Sequence, residues 1–363
     1  MNQTGSISVL HVIFLSMTVI GLKNHVTIIP SLLQDAGRDS WMSVLLAAAV
    51  IFPLFFFFLY IQKGSNREHI GDWLISAIGT VPAASFRYIT AVYLLVMAAF
   101  TMAEVLQWIA ASFLPNTPLV AMLLIYCILC ILLVNTDLQT IVIVNAFVLF
   151  WVVILGFFVA FTNIQVKDYE LLRPFLEHGF RPVLISMMYP ASGFIELVLL
   201  LFLQHRVKDR FRWYHFAFML FILVGLTTGP LVGAITEFGP VEAMKQRYPA
   251  YEEWGLVAIG RFFEHLDFLS IYQWLTGAFI RVGFLLYIAA DLLKWTGDKK
   301  KIWNIAGPAL FFTSLSLFLM SEHTFLKLKG DYLLIVTLFF LLLLTGIMTI
   351  AAFLSRKTSK TGN

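Results

Sequence analysis

The chain is a succession of long apolar runs separated by short polar connections. A helix needs about 20 mostly apolar residues to cross roughly 30 Å of hydrocarbon. Ten stretches meet that requirement: 8–33, 41–62, 84–114, 118–135, 139–163, 183–204, 212–236, 266–293, 303–321 and 331–355. The connections are short except at 63–83, 164–182 and 237–265, and none has room for a separate soluble domain. Residues 1–363 are therefore expected to form a single all-α polytopic membrane domain.

Two of the ten runs are interrupted. GLKNHVTIIP (21–30) places a glycine, a lysine, an asparagine, a histidine and a proline inside span one, and YPASGFIE (189–196) interrupts span six. Transporter folds are often two inverted halves, each with one broken helix at the bilayer midplane. Gly21 and Gly193 lie near the centres of their spans, 172 residues apart. The same offset carries span two (41–62) onto 213–234, which is span seven, and Glu104 of span three onto position 276, the middle of span eight. Spans four and five miss by about 14 and 20 residues. An odd number of spans per half requires inversion, so the pattern predicts a 5+5 inverted repeat with broken helices 1 and 6. Repeat one runs from about 8 to 163 and repeat two from about 183 to 355. The connections echo it: 68–83 reads as a short amphipathic helix, and 239–257 takes the matching place in the second half.

Composition supports the membrane reading. Hydrophobic residues make up 60% of the chain and charged ones 13%, against about 45–50% and about 25% in soluble domains. That excludes soluble enzymes, disordered chains and disulfide scaffolds. The net charge of +4 is too modest to indicate nucleic acid. Placement says more: with both termini in the cytoplasm, 14 Lys and Arg fall in inside segments and 8 outside, with HRVKDRFR (205–212) the strongest inside cluster. Lys329 counts among the outside eight. Cys127 and Cys130, with no nearby histidine, read as small apolar fillers of a helix interface. The first apolar stretch lacks a basic leader and a small-residue cleavage site, so it is expected to stay in the mature protein. The Asn2 sequon falls on the inner side, where it carries no meaning.

Charged groups deep in a bilayer cost at least about 2.5–3.5 kcal/mol and normally face the bundle interior. Lys23 and His25 in span one, Glu104 in span three, Glu196 in span six and Arg281 in span eight all fall at such depth, and the repeat gathers their spans around one position. They are the candidate ligand site. Simple charge pairing, Lys23 with Glu196 or Arg281 with Glu104, explains their burial equally well. Asp267 and Glu264 read instead as a solvated cluster with Arg261 near the outer end of span eight. Irregular backbone at membrane depth must line a cavity or meet a ligand. A ligand carboxylate suits the half-helix that starts after the break near Gly21, with Lys23 or Arg281 adding charge. Carbonyls around Pro190, Ala191 and Ser192, beside Gly193 and Glu196, suit an ammonium. Trp274, Tyr272 and Gln273 are candidates for shaping a pocket, and Gly277 for close helix packing. An amino acid would satisfy both ends. No nucleotide, metalloprotease or nucleophile-elbow motif is present, so neither a cofactor nor an enzymatic role is expected.

Beyond these readings, GPLVGAITEFGPVEAMKQRYPAYEEW (229–254) and FFEHLDFLSIYQWLTGAFIRVGFLLYIAADLL (262–293) resemble the endospore germination permeases, the B subunits of Ger-type nutrient germinant receptors. AGRDSW (36–41) and DYELLRPFLEHG (168–179) are similar to that family's pattern too. The resemblance covers about residues 8–355. It implies a relative of the amino acid–polyamine permeases with the leucine-transporter-like 5+5 fold. It further implies a multi-pass sensor in the spore inner membrane that binds a small nutrient, with an A subunit and a C lipoprotein as partners. An amino acid transporter, or a water or ion channel on the same fold, is the alternative. Lys23 and His25 depart from the glycine-rich, uncharged first break seen in many relatives.

Overall fold

The computed structural model describes residues 7–258 and 266–361, with side chains to 356. Asn2, Arg261 and Glu264 lie outside the described residues. The chain is helical throughout, and one isolated parallel bridge, Ile7 to Val207, is its only strand-like pairing among the described residues.

Each rod starts and stops for local reasons. Helix α1 (Val9–Leu22) opens on Ser8, whose hydroxyl accepts from the His11 N–H. It runs into a π-helical turn, Lys23–Thr27, and then α2 (Ile29–Ala36), which carries Pro30 in its first turn, where a missing N–H costs nothing. Gly37, at φ +52°, ends that rod. The next descends as α3 (Ser40–Ile51) and α4 (Leu54–Gly64), with Pro53 at the joint. After it come the short α5 (Ile70–Ile78), Gly79 at φ +88°, and the 33-residue α6 (Thr80–Ser112). Helices α7 (Leu119–Val134) and α8 (Leu138–Thr162) are joined by a turn in which Asp137 caps Thr140 N–H at 2.7 Å. The sixth predicted span is composite: α9 (Phe180–Ser186), α10 (Met188–Phe194) and a nine-residue 3₁₀ stretch, Ile195–Leu203. Then come α11 (Trp213–Phe238), the small helices α12 (Pro240–Ala243) and α13 (Pro249–Gly255), and α14 (Phe268–Leu292). The last rods are α15 (Lys299–Lys301), a π turn Ile302–Ala306 and α16 (Gly307–Phe318), followed by α17 (Glu322–Lys327), a third π segment Leu328–Leu333, and α18 (Leu334–Thr361).

Among the described residues, eight helical runs are long and apolar enough to cross a membrane. The predicted spans at 118–135 and 303–321 correspond to α7 and to the α15–α16 rod, which do not meet that criterion. The structure also corrects the form of the two breaks. Neither is unwound; in span one the helix widens to a π turn, and in span six it tightens to 3₁₀.

Contacts at the rod ends separate the bundle into two poles. At one pole the Ile7 N–H donates to the Arg206 carbonyl at 2.9 Å, Gln204 donates to the Glu68 carbonyl, and Lys294 pairs with Asp72 at 2.6 Å. At the other, Asp39 accepts from the Leu176 N–H, Arg38 pairs with Glu177, and Arg247 pairs with Glu322. Arg67, Arg206, Lys208 and Lys294, assigned to one side by the charge count, share the first pole; Arg67 donates to the carbonyls of Val207 and Lys208. Within the bundle α14 is the most enclosed rod, with 83% of its core window buried against 28% for the rod carrying α8. Phe147, Phe150, Phe157 and Phe161 of α8 point outward, as expected of a lipid-facing surface. The two cysteines are buried, and Cys127 Sγ lies 3.6 Å from the Gly307 carbonyl, as packing fillers would.

At the second pole the α11–α14 connection tucks one carboxyl inward. Glu253, on α13, is 6% exposed, and Gly233 of α11 lies against it so closely that a Cβ would sit 2.8 Å from Oε1. Asn163 ties this corner together by donating to the Glu253 carbonyl at 2.8 Å and to Glu237 at 2.9 Å. Burial, then the nearby Glu237 charge, push the Glu253 carboxyl well above its ordinary range, while Lys167 opposes them. Glu253 therefore favours folding fully below the unfolded carboxyl value of about 4.3, and that contribution is lost as pH rises through its raised folded value. Glu253→Gln is expected to flatten this acid-to-neutral fall and to unfold at a higher temperature than the parent above neutral pH. Melting curves across pH read both effects.

Candidate functional site

The interior carries two buried charge knots with a small cavity between them. The first centres on Glu196, whose side chain is 2% exposed. Lys23 Nζ donates to Oε1 at 2.9 Å, while Arg281 makes a two-pronged contact, Nη1 to Oε2 at 2.7 Å and Nη2 to Oε1 at 3.0 Å. Planar guanidinium and carboxylate match in this fork. The cations have further acceptors. Lys23 also donates to the Ser192 carbonyl at 2.9 Å, and Arg281 to the Val19 carbonyl at 2.5 Å and Thr101 Oγ1 at 3.2 Å. Four elements thereby meet: α1 with its π turn, α6, the α10–3₁₀ rod and α14.

The second knot centres on Glu104 of α6. Lys329 Nζ donates to Oε1 at 2.8 Å and Thr27 Oγ1 to Oε2 at 2.9 Å. Lys329 also sits 5.0 Å from the ring centroid of Tyr248, a cation–π contact from the α12–α13 connection. Tyr248 and Tyr251 in turn pack on Trp274 with centroids 4.5 Å away. Lys23, Thr27, Glu104, Trp274, Arg281 and Lys329 all face a cavity of about 20 Å³, roughly the space of one water.

Helix type explains why polar groups converge here. A π turn carries one extra residue and interrupts the regular backbone pairing, and such bulges gather at functional sites. Two of the three π segments in the described residues feed this cavity: Lys23–Thr27 supplies Lys23 and Thr27, and Leu328–Leu333 supplies Lys329. Close backbone approach is enforced as well. A Cβ on Gly193 would lie 1.6 Å from Asn24 Oδ1, so only glycine lets the first π turn rest on α10. Asn24 is fully buried, and neither atom of its amide has a hydrogen-bond partner.

A family model described as "Spore germination protein" matches residues 6–325. The chain belongs to the spore germination permease family. Among curated relatives, spore germination protein XB of Bacillus anthracis is 40% identical over 281 residues, covering 77% of this chain and 79% of that protein. Spore germination protein A2 of Bacillus subtilis (strain 168) is 24% identical over 295 residues, covering 76% and 77%. Spore germination protein KB of the same organism is 24% identical over 289 residues, covering 76% and 74%.

In this spore germination permease the sequence-predicted residues divide. Lys23, Glu104, Trp274 and Arg281 line the cavity, and Glu196 bridges two of them. His25 turns away, its Nδ1 3.0 Å from the Leu226 carbonyl of α11. Gly21 also packs toward Leu226, and Gly277 toward Leu22, so both serve close helix contact. Pro190, Ala191, Ser192 and Gly193 lie inside regular α10; of the predicted carbonyl cluster, that of Ser192 is engaged by Lys23. Gln273 bonds Trp254 and the Val152 carbonyl, and neither it nor Tyr272 lines the cavity. The predicted Lys23–Glu196 pairing forms, whereas Arg281 pairs with Glu196 and not with Glu104, whose partners are Lys329 and Thr27.

Lys329 is the residue that sequence reasoning misplaced: assigned to an outer connection, it is 4% exposed at the cavity. Lys-Gly-Asp (329–331) interrupting an apolar run was the available signal. Removing one partner of a buried ion pair leaves the other uncompensated. In a Glu104→Gln, Lys329→Met double-mutant cycle, either single change should therefore destabilise more than the pair, with a coupling of about 0.5–3 kcal/mol. Unfolding of the purified protein in detergent measures it.

Proposed function

We propose that this chain is the integral membrane subunit of a nutrient germinant receptor that binds a small carboxylate-bearing nutrient, an amino acid, between the two charge knots. The supporting observation is the charge balance of the interior: among the described residues Lys23, Arg281 and Lys329 pair with Glu196 and Glu104, a surplus of one positive charge around a small cavity. A ligand carboxylate can pair with the cation left over, and the ligand's ammonium then needs a carboxylate or carbonyls of its own. An amino acid is far larger than about one water, so its entry requires the knots to part. Binding then selects a more open state of the bundle, and partner subunits read the change.

Ten spans in a 5+5 inverted repeat, with both termini cytoplasmic and the chain in the spore inner membrane, complete the proposal. The offset of 172 residues supports it: Lys23–Thr27 maps onto 195–199, where span six changes to 3₁₀, and α3–α4 (40–64) maps onto 212–236, nearly coincident with α11. By family likeness, a larger A subunit and a C lipoprotein are the proposed partners.

Purified protein in liposomes, given labelled amino acids, should bind one of them without concentrating it. Glu196→Gln should weaken that binding at least about tenfold, or about 1.4 kcal/mol, with the protein still present in the membrane. Uptake driven by a proton or sodium gradient would replace the receptor reading with a transporter. No binding to the chain alone or to the assembled complex would remove both.

A further inference from the structure

At the first pole, away from the central cavity, three side chains from three elements converge. His69 immediately precedes α5, His205 follows the 3₁₀ stretch of span six, and Asp291 lies in the last turn of α14. His69 Nε2 is 3.0 Å from Asp291 Oδ2, and His205 Nε2 is 3.6 Å from the same oxygen. One ligand atom from each residue lies within 4.8 Å of the others. The imidazoles meet edge to face, with centroids 5.0 Å apart.

We propose that His69, His205 and Asp291 form a binding site for one divalent transition-metal ion. The donor set is two imidazoles and one carboxylate, the three-ligand pattern that leaves a coordination position for water and suits zinc, cobalt or iron(II). Bonds of about 2.0–2.2 Å in tetrahedral geometry place ligand atoms about 3.3 Å apart, close to the two separations observed.

The surroundings favour a cation between these groups. Asp291 is 7% exposed, and its only ion-pair partners among the described residues are the two histidines. Arg206 Nε donates to His205 Nε2 at 3.2 Å, so that nitrogen carries a lone pair, and Asp291 Oδ2 lies 3.6 Å from it. Two acceptors facing each other at 3.6 Å are reconciled by a metal ion, which takes both lone pairs and displaces the Arg206 donor. On the other ring, Asp72 Oδ2 lies 3.5 Å from His69 Nδ1, which has no hydrogen-bond partner, so a small closing movement would give that imidazole the outer carboxylate that metal-binding histidines commonly have. Lys294 holds Asp72 at 2.6 Å, and Arg87 is occupied with the Leu292 carbonyl at 2.6 Å, so neither neutralises Asp291.

The consequence is mechanical. Span six carries both Glu196 and His205, and α14 carries both Arg281 and Asp291. A metal ion here clamps the pole-side ends of the two rods that the Glu196–Arg281 fork also joins. Metal loading therefore favours the closed arrangement of that pole.

The test uses full-length protein with a histidine-free tag, stripped with chelator and titrated with Zn²⁺ or Co²⁺ alone. One equivalent should bind, raise the melting temperature, and with Co²⁺ give the intense visible bands of a low-coordinate site. His69→Ala and His205→Ala should each weaken binding more than about 100-fold and Asp72→Asn about tenfold. His178→Ala, a substitution at the opposite pole, should change nothing. X-ray absorption on the metal-loaded parent protein should find two imidazoles around the ion, a readout that needs no variant to fold. Absence of stoichiometric binding, binding unchanged in both histidine variants, or an ion without two imidazoles overturns the site.

Discussion

A carboxylate taken out of water must be matched by charge and hydrogen bonds or it does not stay ionised. Glu196 is the point where that constraint governs this bundle. Its two oxygens receive donors from α1 and α14, and the same donors reach back to Val19, Ser192 and Thr101. Moving any of the four elements by more than a fraction of an ångström would leave a buried ion unmatched. The π turn that turns Lys23 inward, the glycine that brings α10 against Asn24 and the fork from α14 all serve this one requirement. Apolar packing between rods is interchangeable by comparison, because lipid tails are as good a partner as leucine.

Much of the architecture could be read from hydropathy because membrane depth imposes a length on each run. The rods and the short helix at 70–78 followed from local pattern. The two short rods were legible too: the runs at 118–135 and 303–321 are the shortest of the ten, and α7 ends at Val134 and α16 at Phe318. The central residues were legible as anomalies, charges where charge is costly. Their partners were not. Sequence places Arg281 and Glu104 on facing rods but cannot supply the distance that gives Arg281 to Glu196. Lys329 was missed because a lysine beside glycine and aspartate looks like a loop; the π segment that carries it inward is invisible to an average over hydropathy.

The breaks differ in kind from a simple unwinding, and this bears on how the interior can change. A π turn and a 3₁₀ stretch are under- and over-wound versions of the same helix, and passage through regular α geometry needs only an exchange of backbone partners. Asn24 sits where such an exchange would act, fully buried with both amide atoms unpaired. A buried amide without partners costs about 1–3 kcal/mol, so the closed arrangement carries a built-in incentive to open toward any polar group that satisfies it.

Charge arithmetic then restricts what can enter. A zwitterion brings no net charge, so the surplus persists whatever pairs it makes; to be matched at both ends, its ammonium must meet one of the carboxylates while its own carboxylate takes a cation that this residue has released. Glu104 is the better exchange partner: it is held by one lysine and one hydroxyl, whereas Glu196 is held by a lysine and a two-pronged guanidinium. Freeing Lys329 from Glu104 would also disturb its contact with Tyr248 and, through Tyr248, the aromatic stack on Trp274. The weaker knot is thus the one wired to the connection at the second pole, and the stronger one holds the rods together while the weaker gives way.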